Sequence, residues 1–410
     1  MRHMSRRKGR QRLVLGGGQV FDGRGGDPAP ADVVIEGDRI LDVGTGLDGD
    51  ERIDVRGKTL LPGLFDCHVH LTVSYVDAWR LVQRPFSYQF FEAARNLAAT
   101  LGVGITSVRD AGGTDLGVKR AQADGLIPGP RVQISLSMIS QTGGHGDDWF
   151  ASGIRLPLLA PHPGIPNTLV DGPEEMRKVV RTLVRQGADV IKIATSGGVL
   201  SPRDKPTHGH FRDDELAALT AEAAAADVPI MAHAQATSGI KAAVRAGVRS
   251  IDHGIYLDDE AIELMKQRGT WLVPTLVAPL GVIQAADAGQ SIPEASLIKA
   301  REVVDVHRES FARAVKAGVR IAMGTDSGVT AHGRNLNELP LMARAGMSPA
   351  EVLVATTSSA AALMRVDDEL GTLEPGKRAD VVVVEGDPYQ LATLAERVEA
   401  VYQDGRRVVG

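Results

Sequence analysis

Cysteine is almost missing from this 410-residue chain, which has one, Cys67. An intrachain disulfide framework is therefore excluded, and the sequence fits a reducing cytoplasm. No run of about 18 apolar residues is present to cross a membrane. The opening MRHMSRRKGRQR lacks the apolar core of a signal peptide and reads as a solvated basic tail over residues 1–12. A net charge of -5 gives no reason to expect nucleic-acid binding. Aromatic residues are scarce at 4%, and with 46 glycines this suits a loop-rich α/β protein. What remains, 43% hydrophobic and 24% charged, is the composition of an ordinary soluble globular protein. The length allows one large domain with a smaller one, or two or three ordinary domains.

The two ends of the chain read alike. RLVLGGGQVFDG and DVVIEGDRILDVG lie near the start, with Gly37-Asp38 as a hairpin turn; ADVVVVEGDP and EAVYQDGRRVV lie near the end, with Asp404-Gly405 as the turn. Residues 13–60 and 365–410 are thus expected to build one small β domain. Between them, over residues 61–364, helical and apolar-strand patterns alternate. PEEMRKVVRTLVRQG places Met176, Val179, Val180, Leu183 and Val184 at helical spacing, with Pro173 near the start and Gly187 at the stop. It runs into ADVIKIAT, and DDELAALTAEAAAA, with Asp213 or Asp214 as cap, runs into VPIMAHA. Eight candidate strands separated by helix-length segments over roughly 300 residues predict a (β/α)8 barrel. A doubly wound open sheet is the alternative, but no glycine-rich phosphate loop follows the first strand.

The strand ends carry the chemistry-bearing residues. LPGLFDCHVHL ends strand 1 with His68 and His70, which face the same side because strand residues i and i+2 do. Lys192 lies in strand 4, His233 closes strand 5, His253 strand 6 and Asp326 strand 8. Each alone is as readily structural; together they occupy the end of a barrel where active sites sit. Lysine is the misfit, because an ammonium repels a divalent cation. A buried amine has its pKa depressed, and a neutral amine can take up carbon dioxide to form a carbamate with two oxygens able to bridge two metals.

The constellation of HVH, IKIATSGG, AHA, DHG and GTDSG, with the tail GTLEPGKRADVVVVEGDP, resembles the amidohydrolase superfamily with a carbamylated lysine. TGGHGD and the loop SPRDKPTHGHFRDDEL resemble the imidazolonepropionase-related branch that contains Xaa-Pro and Xaa-Arg dipeptidases and ochratoxinase-like amidases. The resemblance implies a TIM barrel flanked by a β-sandwich, often in a homo-oligomer. It implies one zinc held by His68, His70, carbamylated Lys192 and Asp326, and a second held by the carbamate, His233 and His253. Such metals lie about 3.5–4 Å apart, and Co²⁺ or Mn²⁺ are alternatives to zinc. A bridging hydroxide would attack an amide carbon, with Asp326 as general base. Two divalent ions, the carbamate, the aspartate and the hydroxide leave a formal charge of about +1, which suits a small-molecule substrate bearing a carboxylate, such as an N-acyl or N-aminoacyl amino acid.

His145, at the end of strand 3, is expected to hydrogen-bond the carbonyl oxygen or the tetrahedral oxyanion. Tyr256, Arg203, Lys205, His208, His210 and Arg212 lie on loops over the same face as candidates for reading the carboxylate, with a plain surface role as the alternative. Tyr75, Trp79, Phe86 and Tyr88 line an apolar pocket or form a helical core stripe. A mononuclear deaminase is disfavoured, since HAQA at residues 233–236 lacks the glutamate of an H-x-x-E run. A lactonase, esterase or phosphotriesterase on the same site stays open. A non-catalytic scaffold is disfavoured because all six ligand positions are filled.

Overall fold

The computed structural model describes residues 11–410 except Leu158 and Pro202. Most of the expected basic tail lies outside the described residues, and Arg12 already opens the first strand. The strands in chain order are β1 (Arg12–Val20), β2 (Ala29–Glu36), β3 (Arg39–Gly44), β4 (Glu51–Asp54) and β5 (Lys58–Pro62). There follow β6 (Leu64–Val69), β7 (Ile105–Asp110), β8 (Arg131–Ile134), β9 (Met138–Ile139), β10 (Ile191–Ala194) and β11 (Ile230–Ala234). The last are β12 (Ser250–His253), β13 (Trp271–Val273), β14 (Arg320–Ile321), β15 (Val381–Glu385), β16 (Val398–Gln403) and β17 (Arg406–Val409).

The terminal strands form one eight-stranded sheet, ordered β17-β16-β15-β5-β1-β2-β3 with β4 added to β1. It folds on itself as a sandwich: Leu15, Val33 and Ile35 from one half share a buried cluster with Val381, Val383 and Tyr402 from the other. Both expected hairpins occur. Glu36 pairs with Arg39 across Gly37-Asp38, and Gln403 with Arg406 across Asp404-Gly405. Asp404 and Gly405 both take positive φ, at 50° and 73°, the backbone whose twist matches a two-residue hairpin.

The central strands are parallel, in runs β6-β7-β8 and β9-β10-β11-β12-β13-β14. β8 and β9 are two pieces of one strand, interrupted where Leu136 adopts a φ of 67°. The ring closes where the Cys67 N–H donates to the Met323 carbonyl at 2.9 Å and the Asp326 N–H to the His68 carbonyl at 2.7 Å. Every expected barrel strand is therefore present, and the eight strands make a closed barrel. The helix Pro173–Arg185 buries Met176, Val179, Val180 and Leu183, the stripe its spacing predicts. The next helix, Asp213–Ala225, is capped differently from expectation. Arg212 stands at the cap position and its N–H donates to the Glu215 carboxylate at 2.7 Å, because that carboxylate reaches back to satisfy the free donor. Among the described residues no helix is long and apolar enough to cross a membrane.

Gly63 joins sandwich to barrel between β5 and β6. Its N–H donates to the Asp380 carbonyl at 2.9 Å, and a Cβ there would collide with the Thr106 hydroxyl and the Asp380 side chain. Nearby, Arg131 on β8 donates to Asp380 at 3.0 Å, pinning the same junction. Gly63→Ala should lower thermal stability by an overpacking cost of about 1–3 kcal/mol. A melting temperature equal to wild type, read by calorimetry, would contradict this account of the junction.

Candidate metal centre and active site

Strand alternation delivers the first side chains. In the parallel register Ala194 lies beside His233, and His233 beside Asp252, so Lys192, His233 and Asp252 share the interior face. His253 should then point outward. It does not, because its backbone turns to a φ of 72°, which swings the last residue of β12 back over the barrel mouth. Asp326, with a φ of 61°, is turned in the same way beyond β14. On β6, Cys67 packs outward against Trp271 and Val273 while His68 and His70 face in.

His68, His70 and Asp326 converge, with one ligand atom from each lying within 4.8 Å of the others. Oδ1 of Asp326 is 3.4 Å from His68 Nε2 and 3.2 Å from His70 Nε2. The His68 and His253 rings are 5.1 Å apart and the His253 and His233 rings 4.6 Å apart, centre to centre. His70, His233 and His253 are each anchored by their other nitrogen, and His68 has a carboxylate beside its own. His68 Nδ1 lies 3.0 Å from Asp252. His70 Nδ1 reaches the Gly112 carbonyl at 2.8 Å, His233 Nε2 the Gly197 carbonyl at 3.2 Å, and His253 Nδ1 the Thr275 hydroxyl at 2.7 Å. Carbonyl oxygens accept only, so these contacts put the proton on the anchored nitrogen of His70 and His233 and leave the opposite lone pair bare, and the Asp252 carboxylate beside His68 Nδ1 favours the same tautomer there.

That arrangement tests the site for a metal. Two bare Nε2 lone pairs facing one carboxylate oxygen are three acceptors with no donor between them, which a proton or a cation must satisfy. The proton affinity of His70 is raised: burial opposes its charge, but Asp326 outweighs burial. Asp326 is held well below the usual carboxylate range, since His68 and His70 overcome the cost of its burial. His233 and His253 are pushed down by burial and by neighbouring positive groups, so they stay neutral. A mixed set of neutral imidazoles and a carboxylate fits a divalent cation.

Lys192 is 1% exposed, and its amine lies 2.8 Å from Asp252. Burial lowers its pKa and Asp252 partly restores it. Asp252 was not singled out from the sequence, yet it also receives Arg109 at 3.2 Å and the Ser250 hydroxyl at 3.1 Å.

His145 lies six residues beyond β9 rather than at a strand end, in a turn closed by the Asp147 N–H on the Gly144 carbonyl. Its ring stacks on His233 at 4.0 Å and 17°, and its Nδ1 lies 2.9 Å from the Ser201 hydroxyl and 3.6 Å from Asp204. Ser201 donates to Asp204, whose carboxyl is held down to about 2; burial opposes this, and His145, Ser201 and Lys299 prevail. A Cβ on Gly198 would run into the His145 ring, so the glycine is what lets the ring lie there.

All six expected ligands and His145 line one cavity of about 600 Å³. Its walls are mostly apolar, with Met138, Phe150, Leu159, Ile165 and Val282 among them. The expected substrate readers Arg203, Tyr256 and His210 do not line it. Ser196 pairs with Gly209, folding the intervening loop so that Arg203, Lys205 and His208 project to solvent; Arg203 covers the Trp149 ring at 4.9 Å. His210 is buried behind this loop, and Tyr256 packs against a cluster containing Val199 and Val282. Trp79, Phe86 and Tyr88 are exposed and do not line this cavity; Val73 and Val76 take that wall. The sequence reading passed over Arg155 and Asp148, which do line it.

An amidohydrolase family model matches residues 59–408. The ochratoxinase of Aspergillus niger is 36% identical over 360 residues, covering 84% of this chain and 74% of that protein. The structure of a Xaa-Pro dipeptidase with bound methionine in the active site is 33% identical with a TM-score of 0.89, covering 97% of this chain and 100% of that one. A prolidase complexed with N-methylphosphonate-L-proline is 36% identical with a TM-score of 0.89, over 97% of this chain and 99% of that one. The converging histidines and aspartate thus sit in a fold shared along almost the whole length, and the chain belongs to the amidohydrolase family.

Proposed function

We propose that this protein hydrolyses the amide bond of N-acyl or N-aminoacyl L-amino acids at a binuclear zinc site. The observation that carries the reading is the set of bare histidine nitrogens converging on Asp326 at the floor of an apolar cavity. The similarity to ochratoxinase, to a Xaa-Pro dipeptidase and to a prolidase supports an amide as the bond.

In this reading His68, His70, Asp326 and a carbamate on Lys192 would hold one zinc, and His233 and His253, with that carbamate, would hold the other. The bound metals supply Lewis acidity, lowering the pKa of water and polarising the carbonyl. Carbamylation leaves an N–H on Lys192 to donate to Asp252, so the contact at 2.8 Å serves the modified side chain as well as the free amine. Asp326, kept ionised by His68 and His70, takes the proton of the attacking water and passes it to the leaving amine. With Nδ1 donating to Ser201 beside Asp204, His145 would have to be the imidazolium to donate an Nε2–H to the developing oxyanion. Arg155, on the cavity wall, reads the substrate carboxylate in place of the loop residues first considered.

The direct test is amino-acid release by zinc-loaded enzyme from Xaa-Pro, Xaa-Arg, Xaa-Phe and N-acyl amino acids. Release from any of them establishes the amidase, whereas cleavage of matched esters alone overturns the amide reading. Lys192→Ala should lose activity and most bound metal, with partial rescue by short carboxylic acids; full activity with two metals per chain would end the carbamate argument. His145→Ala should lower kcat about 100-fold with metal content unchanged, and an unchanged kcat would remove its assigned role.

A further inference from the structure

Asp148 belongs to none of the networks above. Among the described residues its carboxylate makes no hydrogen bond and no ion-pair contact; its neighbours by charge are Asp147 and Arg155. Yet it lines the catalytic cavity beside Phe150, Leu156 and Pro157. Its backbone is fixed, because its carbonyl accepts from the Leu156 N–H at 3.1 Å and Phe150 donates to the Ile154 carbonyl at 2.8 Å. Trp149 pairs with Arg155, so this short excursion returns Arg155 to the same cavity wall. Arg155 does not neutralise Asp148 by contact; among the described residues it pairs instead with Asp147, at 3.8 Å.

A carboxylate left without a partner on a largely apolar wall costs free energy in the empty cavity, and that cost is recovered when a ligand brings a donor. Burial, with the nearby Asp147 charge, pushes the Asp148 carboxyl up to about 7, and the Arg155 charge offsets this only in part.

We infer that Asp148 receives the free α-ammonium of an aminoacyl substrate, so that the cavity favours dipeptide-like zwitterions over N-acyl amino acids. The inference rests on the hydrolase reading above and narrows it. Placement carries it further. Asp148 is three residues from His145, a reach of at most about 11 Å of extended chain. In a dipeptide the ammonium nitrogen lies two bonds, about 2.5 Å, from the scissile carbonyl carbon. The group that reads the ammonium therefore belongs at the same end of the cavity as the group that reads the carbonyl oxygen. Among the described residues outside the metal-site cluster and the histidines, Asp148 and Arg155 are the ionic side chains lining the cavity. One anion and one cation on one wall match the two ends of a zwitterion. An N-acyl amino acid has only the carboxylate, and would cover the half-buried Asp148 without giving it a partner.

The test separates binding from turnover. Two hydrolysis-resistant ketomethylene analogues of Leu-Phe, with and without the α-amino group, are titrated calorimetrically into metal-loaded wild type and Asp148→Asn. Wild type should bind the amino compound about 10-fold or more tightly than its des-amino counterpart. Asp148→Asn should bring the two within about 2-fold while leaving the affinity for the des-amino compound unchanged. Equal binding of both by wild type overturns the inference, and needs no variant. Equal weakening of both in Asp148→Asn overturns it too, since that is what a structural role produces. Hydrolysis of Leu-Phe and 4-methylpentanoyl-Phe is followed in parallel. Preferred binding of the amino compound with neither amide cleaved leaves the ammonium site standing and removes the hydrolase reading; cleavage of both without a binding difference does the reverse.

Discussion

The carboxylate of Asp252, fully buried at the centre of the barrel mouth, is the contact on which the rest depends. It gathers His68 from β6, Arg109 from β7, Lys192 from β10 and Ser250 from its own strand. Burial opposes its charge, and the cations of Lys192 and Arg109 more than compensate, holding it far below the usual carboxylate range. Arg109 also donates to the Cys67 carbonyl at 2.7 Å, fixing the backbone just before His68. Four strands around the ring are thereby tied through one anion. Without it, a lysine and an arginine would face each other uncompensated in a low-dielectric interior, the costly half of a broken buried pair. The same anion lies 3.0 Å from His68 Nδ1 and favours a proton there, so the charge balance of the interior and the availability of a ligand nitrogen are linked.

A second constraint is local strain. Leu136, His253, Thr275 and Asp326 all take positive φ, a conformation that costs residues other than glycine of order 1–3 kcal/mol. All four lie at or just beyond strands at the mouth of the barrel. At His253 the turn brings a side chain inward that alternation would have sent out. Thr275 is turned so that its hydroxyl meets His253, and the next two N–H groups are held by the buried carboxylate of Glu338 at 2.7 and 2.8 Å. The bonds that His253, Thr275 and Asp326 make at the site hold them in conformations their backbones disfavour.

Most of this architecture was legible in the sequence. The alternation of helix and strand periods named the barrel, and the hairpin signals at both ends named the sandwich. The metal-ligand types at strand ends could be read because alternation and strand polarity are simple rules. What stayed hidden was set by the loops. Asp252 sits one residue from His253, and by strict alternation the two cannot both face inward; only the positive φ permits it. Arg203 and His210 were the expected cavity residues and Arg155 drew no notice, but the pairing of Ser196 with Gly209 turned their loop away. His145 was found by its motif and misplaced in its element, since nothing in TGGHGD shows that the strand has already ended at Ile139.

The pairing of β5 with β15, Lys58–Pro62 against Val381–Glu385, has a consequence for how the chain is made. During synthesis β1 to β5 emerge first and can pair among themselves, but the outer side of β5 has no partner until more than 300 residues later in the sequence. The barrel, whose ring closes with contacts up to Ser327, can complete itself while that edge is still open. An unpaired strand edge is a template for pairing with another chain, and contacts between distant segments form slowly. Newly made chains therefore carry one exposed β edge for the whole interval between barrel closure and arrival of the tail. The C-terminal strands act as the cover that ends that interval.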